Sequence, residues 1–370
     1  MAATPLKIAR LPSLDGWRAV SILIVLAAHS RYVAGFPARF YDPVGVVASE
    51  GSLGVRAFFL ISGFLITWLL LVENAAQAGP GISLKHFYLR RVLRIFPVYF
   101  CFLAVLAWLS WVTPFHQALK VWLGNLAFTT NIFGDGRVSG HLWSLAIEEQ
   151  FYLLWPGTFL WFGLAANPRR SLWILMVPIA LGPISRLMVC KHYYPAALNW
   201  YFRYYPTTSF MDSIAIGCAC ALLLFQKRAW VTGWLSQYST SLPLAGLGLL
   251  VVPMLMDEFH LPARLLALSG NTLQALGFAI LLLDSVTRPD KLCYRWLNWG
   301  LVKHLGVLSY SIYIWQQIFC NPKELGLDPH LWWLSFPGWL VATLVVAHIS
   351  YYALEMPFFR LRRRFGVKAG

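Results

Sequence analysis

This sequence contains few charged residues. Only 12% of its 370 residues are Asp, Glu, Lys or Arg, whereas 58% are hydrophobic. About a quarter of the residues of a soluble globular domain are charged, so this deficit argues against a water-soluble protein. The composition predicts a chain that has lipid as its main solvent.

Cysteine patterns are also missing. The six cysteines include no CxxC pair, so we expect neither a metal centre nor a disulfide framework, and no permanently bound cofactor. The N-terminal stretch MAATPLKIARLPSLDGW is too polar for a signal peptide, which predicts that the first hydrophobic helix remains in the chain. Without repeats or a soluble appendage, we expect a single membrane domain over 1–370, with a core at 14–358 and a basic cytoplasmic tail at 359–370.

Long hydrophobic runs are abundant. A membrane-spanning helix needs about 20 apolar residues, and its backbone must be hydrogen-bonded internally. The sequence therefore predicts an all-α polytopic protein, with about ten transmembrane helices in one bundle and both termini on the same side. The predicted spans are 17–33, 52–72, 92–111, 146–164, 171–189, 208–226, 240–256, 266–284, 302–320 and 333–354.

The basic residues indicate which side this is. If the N-terminus is cytoplasmic, every cytoplasmic segment carries at least two Lys or Arg residues, as the positive-inside rule requires. These residues are Lys7, Arg10, Lys85, Arg90, Arg91, Arg94, Arg169, Arg170, Lys227, Arg228, Arg288, Lys291, Arg295, Lys303, Arg360, Arg362, Arg363, Arg364 and Lys368. The net charge of +15 is thus a topology signal with anionic membrane lipids as its partner. The positive charge therefore does not indicate a nucleic-acid partner.

An arginine and a histidine share one face of the first span, LDGWRAVSILIVLAAHS. His29 follows Arg18 by eleven residues, which is about three turns and about 16 Å along a helix. Ionisable residues within a span are costly unless they are partnered or line a wet cavity. One interpretation is that this face connects a cytoplasmic cation to a base. The other is that Arg18 anchors the helix at the headgroups and His29 caps its end.

A polar stripe begins the fourth span, HLWSLAIEEQFYLLWP. His141, Ser144, Glu148 and Tyr152 fall on one helix face. In a span that runs inward, this stripe enters the membrane at the level of His29, where a carboxylate would orient and charge the imidazole. Alternatively, the acidic pair of Glu148 and Glu149 interacts only with the positive end of its helix.

Arginines cluster at the start of the third span, LKHFYLRRVLRIFPVYF. Guanidinium groups at a helix start are suited to phosphate or pyrophosphate, although anchoring at the cytoplasmic face explains the charge equally well. In the second span, Ser62 and Gly63 favour close helix packing. Arg56 lies near the outer mouth of that span, where it is either a rim anchor or a contact to an acceptor or oxyanion.

Seven segments form an ordered set of motifs between residues 14 and about 358. They are LDGWRAVSILIVLAAH, GVRAFFLISGFLIT, RRVLRIFPVY, HLWSLAIEEQFYLLWP, FMDSIAIGCACALL, LGVLSYSIYIW and YYALEMPF. Together, and in this order, they resemble the acyltransferase-3 family of integral membrane O-acyltransferases. Members of the family acylate hydroxyl groups of lipopolysaccharide, exopolysaccharide, Nod factors and macrolides. The resemblance implies a bacterial cytoplasmic (inner) membrane enzyme with acyl-CoA as donor substrate and a carbohydrate or glycolipid acceptor.

The resemblance also implies roles for individual residues. His29 and Glu148 fall on the catalytic positions, with His29 as the general base. Arg18, Arg90, Arg91, Arg94 and Tyr310 fall on the side of the acyl-CoA donor. On the acceptor side lie His141, Arg56 and Glu149, whereas Asp15, Ser62, Asp212, Ser309 and Glu355 match motif positions with no separate role assigned.

Two positions depart from the family pattern. Arg56 stands where many members have the Asp of GVDLFF, and Gln316 stands where many have the His of YLWH. Both changes affect what we expect of the acceptor more than what we expect of the reaction, which is transfer of an acyl group, with acetyl expected, to a hydroxyl.

Two other classes of protein remain open from the residues alone. A proton-coupled transporter would also bury Arg, His and Glu, although it is expected to show two related halves or broken helices in matching positions, and the sequence has neither. A non-catalytic membrane scaffold would not bind coenzyme A.

Overall fold

The described part of the chain is helical throughout. A computed structural model describes residues 11–40, 52–75, 82–133, 138–193, 206–259 and 262–362, and these ranges contain no β-strand. The α-helices are α1 Leu14–Ser30, α2 Ser52–Ala75, α3 Leu84–Val112, α4 Leu119–Leu126, α5 Thr130–Phe133, α6 Leu142–Trp161, α7 Pro168–Tyr193, α8 Met211–Gln226, α9 Arg228–Gln237, α10 Ser241–Glu258, α11 Ala263–Thr287, α12 Gly300–Cys320, α13 Gly338–Ser350 and α14 Met356–Arg362. A π-helical turn, Tyr351–Glu355, joins α13 to α14.

Each of the ten predicted spans overlaps one of these helices. Within the described ranges, six helical segments are long and apolar enough to cross a membrane, or seven if α9 and α10, which meet at 88°, form one broken span. Helices α1, α6 and α12 are not among the six, and they carry the polar faces described below. The chain is a multi-pass helical membrane protein, while the count of ten remains a prediction. Lys7, Arg10 and the tail from residue 363 onward lie outside the described residues.

Glycine residues allow α1 and α12 to pack closely against each other. A Cβ at Gly306 of α12 would overlap the backbone oxygen of Asp15, and a Cβ at Gly16 would overlap Leu297 in the turn that precedes α12. The small residues therefore let the two helices approach each other closely, as they do in many membrane bundles. At the other end of the pair, His29 is hydrogen-bonded to Gln316. The two helices consequently run parallel, so residues far apart in sequence become neighbours along their length.

Helix α2 lies at the centre of the bundle. It packs on α8, where a Cβ at Gly63 or Gly217 would overlap backbone atoms of the partner helix. On its other side it runs parallel to α6, because Ser62 is bonded to Glu148 and, further along both helices, Trp155 Nε1 donates to Thr67 Oγ1 at 2.9 Å. This arrangement directs the polar residues of α2 and α6 toward each other.

A buried ion pair ties α7 to α8 and α11. Arg186 donates to Oδ2 of Asp212 at 2.9 Å, to the Ser209 carbonyl at 2.6 Å and to Oγ1 of Thr272 at 2.8 Å. Gly182, one turn earlier on α7, leaves room for the Asp212 side chain. Because both charges are paired and hydrogen-bonded, this network holds α7, α8 and α11 together.

Candidate functional site

An elongated cavity lies between α1, α2, α3, α6 and α12. Its volume is about 140 Å³. Its walls follow α2 from Val55 to Leu69, which is about 21 Å at 1.5 Å per residue. The polar residues that line it are Arg18, Ser62, Arg91, Arg94, Ser144, Glu148, Tyr152, Ser309, Tyr310 and Tyr313. Five helices contribute hydroxyl or charged groups, so polar groups from every wall line a cavity that also has many apolar side chains.

Three arginines make one end of this cavity cationic. Arg18 comes from α1, whereas Arg91 and Arg94 come from one face of α3. The guanidinium carbon of Arg91 lies 3.5 Å from the centre of the Tyr152 ring, and the ring holds that cation in place. Arg94 interacts electrostatically with Glu355. Guanidinium groups gathered in this way form a binding surface for an anion.

Arg90 is directed elsewhere. Its Nη2 donates to Oε2 of Glu73, at the end of α2, at 2.7 Å, and Arg90 is not among the residues that line the cavity. Neighbouring helical residues differ by about 100° in direction, which separates Arg90 from Arg91. Of the three arginines in the first turns of α3, the structure therefore brings Arg91 and Arg94 into the cavity and pairs Arg90 outside it.

Glu148 is the carboxylate of the cavity. Its Oε1 accepts a hydrogen bond from Ser62 Oγ at 2.8 Å, and its Oε2 accepts one from the Tyr152 hydroxyl at 3.3 Å. It also interacts electrostatically with Arg91 and Arg18. The carboxylate therefore counterbalances the arginines. The sequence led us to expect Glu148 to orient His29, but the structure gives it these partners instead.

His29 lies beyond the end of the cavity. Its Nδ1 is 3.1 Å from Oε1 of Gln316 on α12, and the Val25 carbonyl is a further partner of the ring. Gln316 follows Tyr313, a cavity residue, by three residues, about 4.5 Å along the helix axis. Since Arg18 lines the cavity and His29 lies on the same face of α1 three turns later, α1 connects the two positions.

The residues around Tyr313 separate the cavity from His141. The Tyr313 hydroxyl donates to the His141 carbonyl at 2.9 Å and lies 2.7 Å from Ser144 Oγ. His141 Nε2 is 3.1 Å from the Ile314 carbonyl, and the ring stands edge-on to Phe102. His141 also interacts electrostatically with His29. The two histidines, which come from different predicted spans, are therefore close enough to influence each other electrostatically.

Three further residues singled out from the sequence lie inside the bundle. Arg56 is fully buried and donates to Asn271 Oδ1 at 2.5 Å, so it contacts α11 rather than the cavity. Glu149, one position beyond Glu148, interacts electrostatically with Arg91 and with Tyr99 on α3, and it is not among the residues that line the cavity. The Tyr310 hydroxyl donates to the Ile95 carbonyl at 2.8 Å at the wall of the cavity.

The motif residues serve as contacts between helices. The backbone of Asp15 packs against Gly306, Asp212 pairs with Arg186, and Glu355 accepts a hydrogen bond from Ser311. Each of these contacts joins two elements that are distant in sequence. These contacts indicate that the motif residues hold the helices in position.

Sequence reasoning missed the partner of His29 and the Arg186 network. Tyr310, Tyr313 and Gln316 recur every three residues along α12, and this spacing was the signal that one face carries them all. Arg186 stands alone in the apolar run GPISRLMV, where an unpaired charge would be too costly, so the run itself predicts a buried partner. Within the described residues, no group of three or more His, Cys, Asp or Glu side chains could hold a metal ion.

These features define a multi-pass helical membrane protein with a basic internal cavity and a histidine beyond its end. The family model described as an acyltransferase domain, that of acyltransferase 3, matches residues 11–354. The chain therefore belongs to the acyltransferase-3 family, as its sequence segments indicated.

Three curated relatives are similar over almost the whole chain. A putative peptidoglycan O-acetyltransferase, YrhL, of Bacillus subtilis is 27% identical over 368 residues, which cover 94% of this chain and 54% of the relative. The peptidoglycan O-acetyltransferase OatA of Listeria monocytogenes is 26% identical, with 94% and 55% covered. The O-acetyltransferase OatA of Staphylococcus aureus is 27% identical, with 97% and 58% covered. The chain thus spans little more than half the length of these relatives, and no solved structure matches it.

Proposed function

We propose that this protein is a membrane O-acyltransferase that transfers an acyl group, with acetyl expected, from cytoplasmic acyl-CoA to a hydroxyl of a sugar. The observation that carries the proposal is the face of α1, on which Arg18 lines the basic cavity and His29 lies three turns further on. Membership of the acyltransferase family supports the reaction class. The named substrate of two relatives makes peptidoglycan the first acceptor to test.

The cationic end of the cavity is the proposed donor site. The phosphates of acyl-CoA would contact Arg91, Arg94 and Arg18, because charge-assisted bonds from guanidinium groups are the strongest that a protein offers to phosphate. Tyr310 lies at the wall beside them. The apolar side chains of Phe58, Leu65 and Ile66 then provide a path for the pantetheine arm. Arg90, which is paired with Glu73, contributes charge near this end without a direct contact.

His29 is the proposed general base. Its Nε2 takes the proton of the acceptor hydroxyl, and the oxygen attacks the thioester carbonyl. An ester C–O bond forms as the C–S bond breaks, and the proton passes from His29 to the departing thiolate of coenzyme A. Glu148 holds the arginines of the donor site in place, and His141 lines the approach of the acceptor. In this scheme the acyl group moves along α1 while coenzyme A stays on its own side.

The orientation follows from the same proposal. Acyl-CoA is cytoplasmic, so the arginine end of the cavity faces the cytoplasm, and the abundance of Lys and Arg in the corresponding segments agrees with this side. Ten spans then leave both termini in the cytoplasm. The bacterial cytoplasmic membrane is the setting in which such an enzyme reaches acyl-CoA on one face and a cell-envelope sugar on the other.

The direct test uses purified protein and radiolabelled acetyl-CoA. Transfer of label to peptidoglycan fragments, or release of acetate to water, is compared for the unaltered chain and for His29→Ala. The matched control is His330→Ala, since His330 is exposed. We expect His29→Ala to abolish turnover without changing elution on gel filtration, and the control to retain it. Undiminished turnover in His29→Ala would exclude this residue as the base.

A further inference from the structure

The side chain of Gln316 contacts His29 and is completely buried. It is 0% exposed, and its Oε1 lies 3.1 Å from Nδ1 of His29, 287 residues away in sequence. Its Nε2 is buried and has no hydrogen-bond partner in the part of the chain that the structure describes. Burying an amide with one end unpaired costs free energy. The hydrogen bond between Oε1 and His29 is therefore the polar contact that holds this amide in place.

The contact at His29 identifies the protonated ring nitrogen. The Val25 carbonyl, four residues earlier on α1, also bonds to this ring. His348 bonds through Nδ1 to the carbonyl four residues earlier, that of Leu344, at 2.8 Å, and we infer that the same ring atom of His29 faces Val25. A carbonyl accepts and cannot donate, so Nδ1 carries the hydrogen and Gln316 presents its oxygen. In a neutral imidazole the other nitrogen, Nε2, then keeps its lone pair.

We propose that Gln316 is the positioning residue of His29, fixing the tautomer in which Nε2 is the free base. This inference rests on the proposed function for its consequence in catalysis, whereas the tautomer itself does not depend on it. An amide fixes the ring without adding negative charge beside it, in contrast to the carboxylate partner that many histidine bases have. Gln316 thus supplies orientation and an uncharged hydrogen-bond acceptor, without a counter-charge.

The first test removes the hydrogen-bond acceptor that Gln316 presents to His29. Gln316→Met keeps a similar volume without an oxygen, Gln316→Leu is a second such variant, and Gln316→Glu restores an acceptor. We expect both acceptor-free variants to lower kcat about tenfold, with unchanged KM for acetyl-CoA, because one hydrogen bond to an ionising group is lost. Gln316→Glu should recover most of kcat. The matched control is Gln317→Met, since Gln317 is buried next to it and contacts Cys320 instead.

The pH profile separates positioning from packing. Without the acceptor, the protonated ring loses a stabilising partner, so the acid limb of kcat/KM should move to lower pH in Gln316→Met. A residue that only fills space would lower the plateau and leave the limb where it was. An unmoved limb, or a Gln316→Glu variant as impaired as Gln316→Met, would overturn the proposal.

A second measurement does not depend on turnover. Diethyl pyrocarbonate modifies unprotonated imidazole nitrogen, and the modified peptide that contains His29 is quantified by mass spectrometry over a range of pH. We expect the midpoint of modification to lie at lower pH in Gln316→Met than in the unaltered chain and in Gln317→Met. Identical midpoints would refute the role of Gln316 even in an active enzyme. A shifted midpoint in a protein without acetyl transfer would instead refute the proposed function and leave the contact standing.

Discussion

Ser62 donates a hydrogen bond to Glu148 across the interface of α2 and α6, with 2.8 Å between Oγ and Oε1. The bond fixes the carboxylate at the cavity, within the electrostatic influence of Arg91 and Arg18. From the sequence, Ser62 was a small residue for packing and Glu148 was a partner for His29. The structure makes them one unit, and that unit faces the proposed donor site.

Replacing Glu148 by Gln should reduce kcat/KM for acetyl-CoA at least tenfold. The amide can keep the contacts to Ser62 and Tyr152, but it no longer attracts Arg91 and Arg18 and so no longer holds them in position for the phosphates. Ser62→Ala should have a smaller effect of about fivefold, because it removes one hydrogen bond worth about 1 kcal/mol. Steady-state kinetics measure both. The control is Glu73→Gln, a buried glutamate paired with Arg90 outside the cavity, and an equal loss in this variant would contradict the assignment.

The adjacent arginines of α3 allow a direct comparison. Arg91→Gln should raise the KM for acetyl-CoA by about tenfold to a hundredfold, since a bond to a charged group contributes about 1.5–3 kcal/mol. Arg90→Gln should leave the KM nearly unchanged, because Arg90 is bonded to Glu73. Initial rates over a range of donor concentrations are sufficient. If the two variants behave alike, the arginines act only through their net charge.

The close approach of α1 and α12 depends on Gly306. Gly306→Ala should lower the unfolding temperature in detergent and reduce activity, because the added carbon meets the Asp15 carbonyl and pushes apart the helices that carry His29 and Gln316. Gly157→Ala is the matched control, since nothing lies within 4 Å of the added carbon there. Alanine favours helix over glycine, so the control should be neutral or stabilising. A neutral Gly306→Ala would show that the two helices are further apart.

The ion pair of Arg186 and Asp212 should contribute to stability rather than to chemistry. Asp212→Ala leaves a buried guanidinium without its counter-charge, which costs about 3–5 kcal/mol when one partner is removed. We expect a large fall in the unfolding temperature, measured by intrinsic fluorescence, whereas Asp290→Ala at an exposed site should have almost none. A stable but inactive Asp212→Ala protein would instead place this carboxylate in the reaction.

The sequence predicted the helices better than the site. Each hydrophobic run overlaps a helix because burial of apolar residues in lipid is a local property that composition reveals. The face shared by Arg18 and His29 also follows from helical periodicity alone. The partners of His29 and Glu148 could not be derived, since they depend on which helices are adjacent. Gly306, Gly63 and Gly217 determine that adjacency through close packing, and their spacing does not specify the partner helix.

The account depends on a donor whose phosphates contact the arginines and whose acyl group reaches His29. A cryo-EM structure of the protein with a non-hydrolysable acetyl-CoA analogue measures both distances in one experiment. We predict phosphate oxygens within hydrogen-bond distance of Arg91 or Arg94 and the acyl carbonyl beside Tyr313 and His29, on the side of Nε2. Phosphates bound away from these arginines, or an acyl group on the opposite side of α1 from His29, would contradict it.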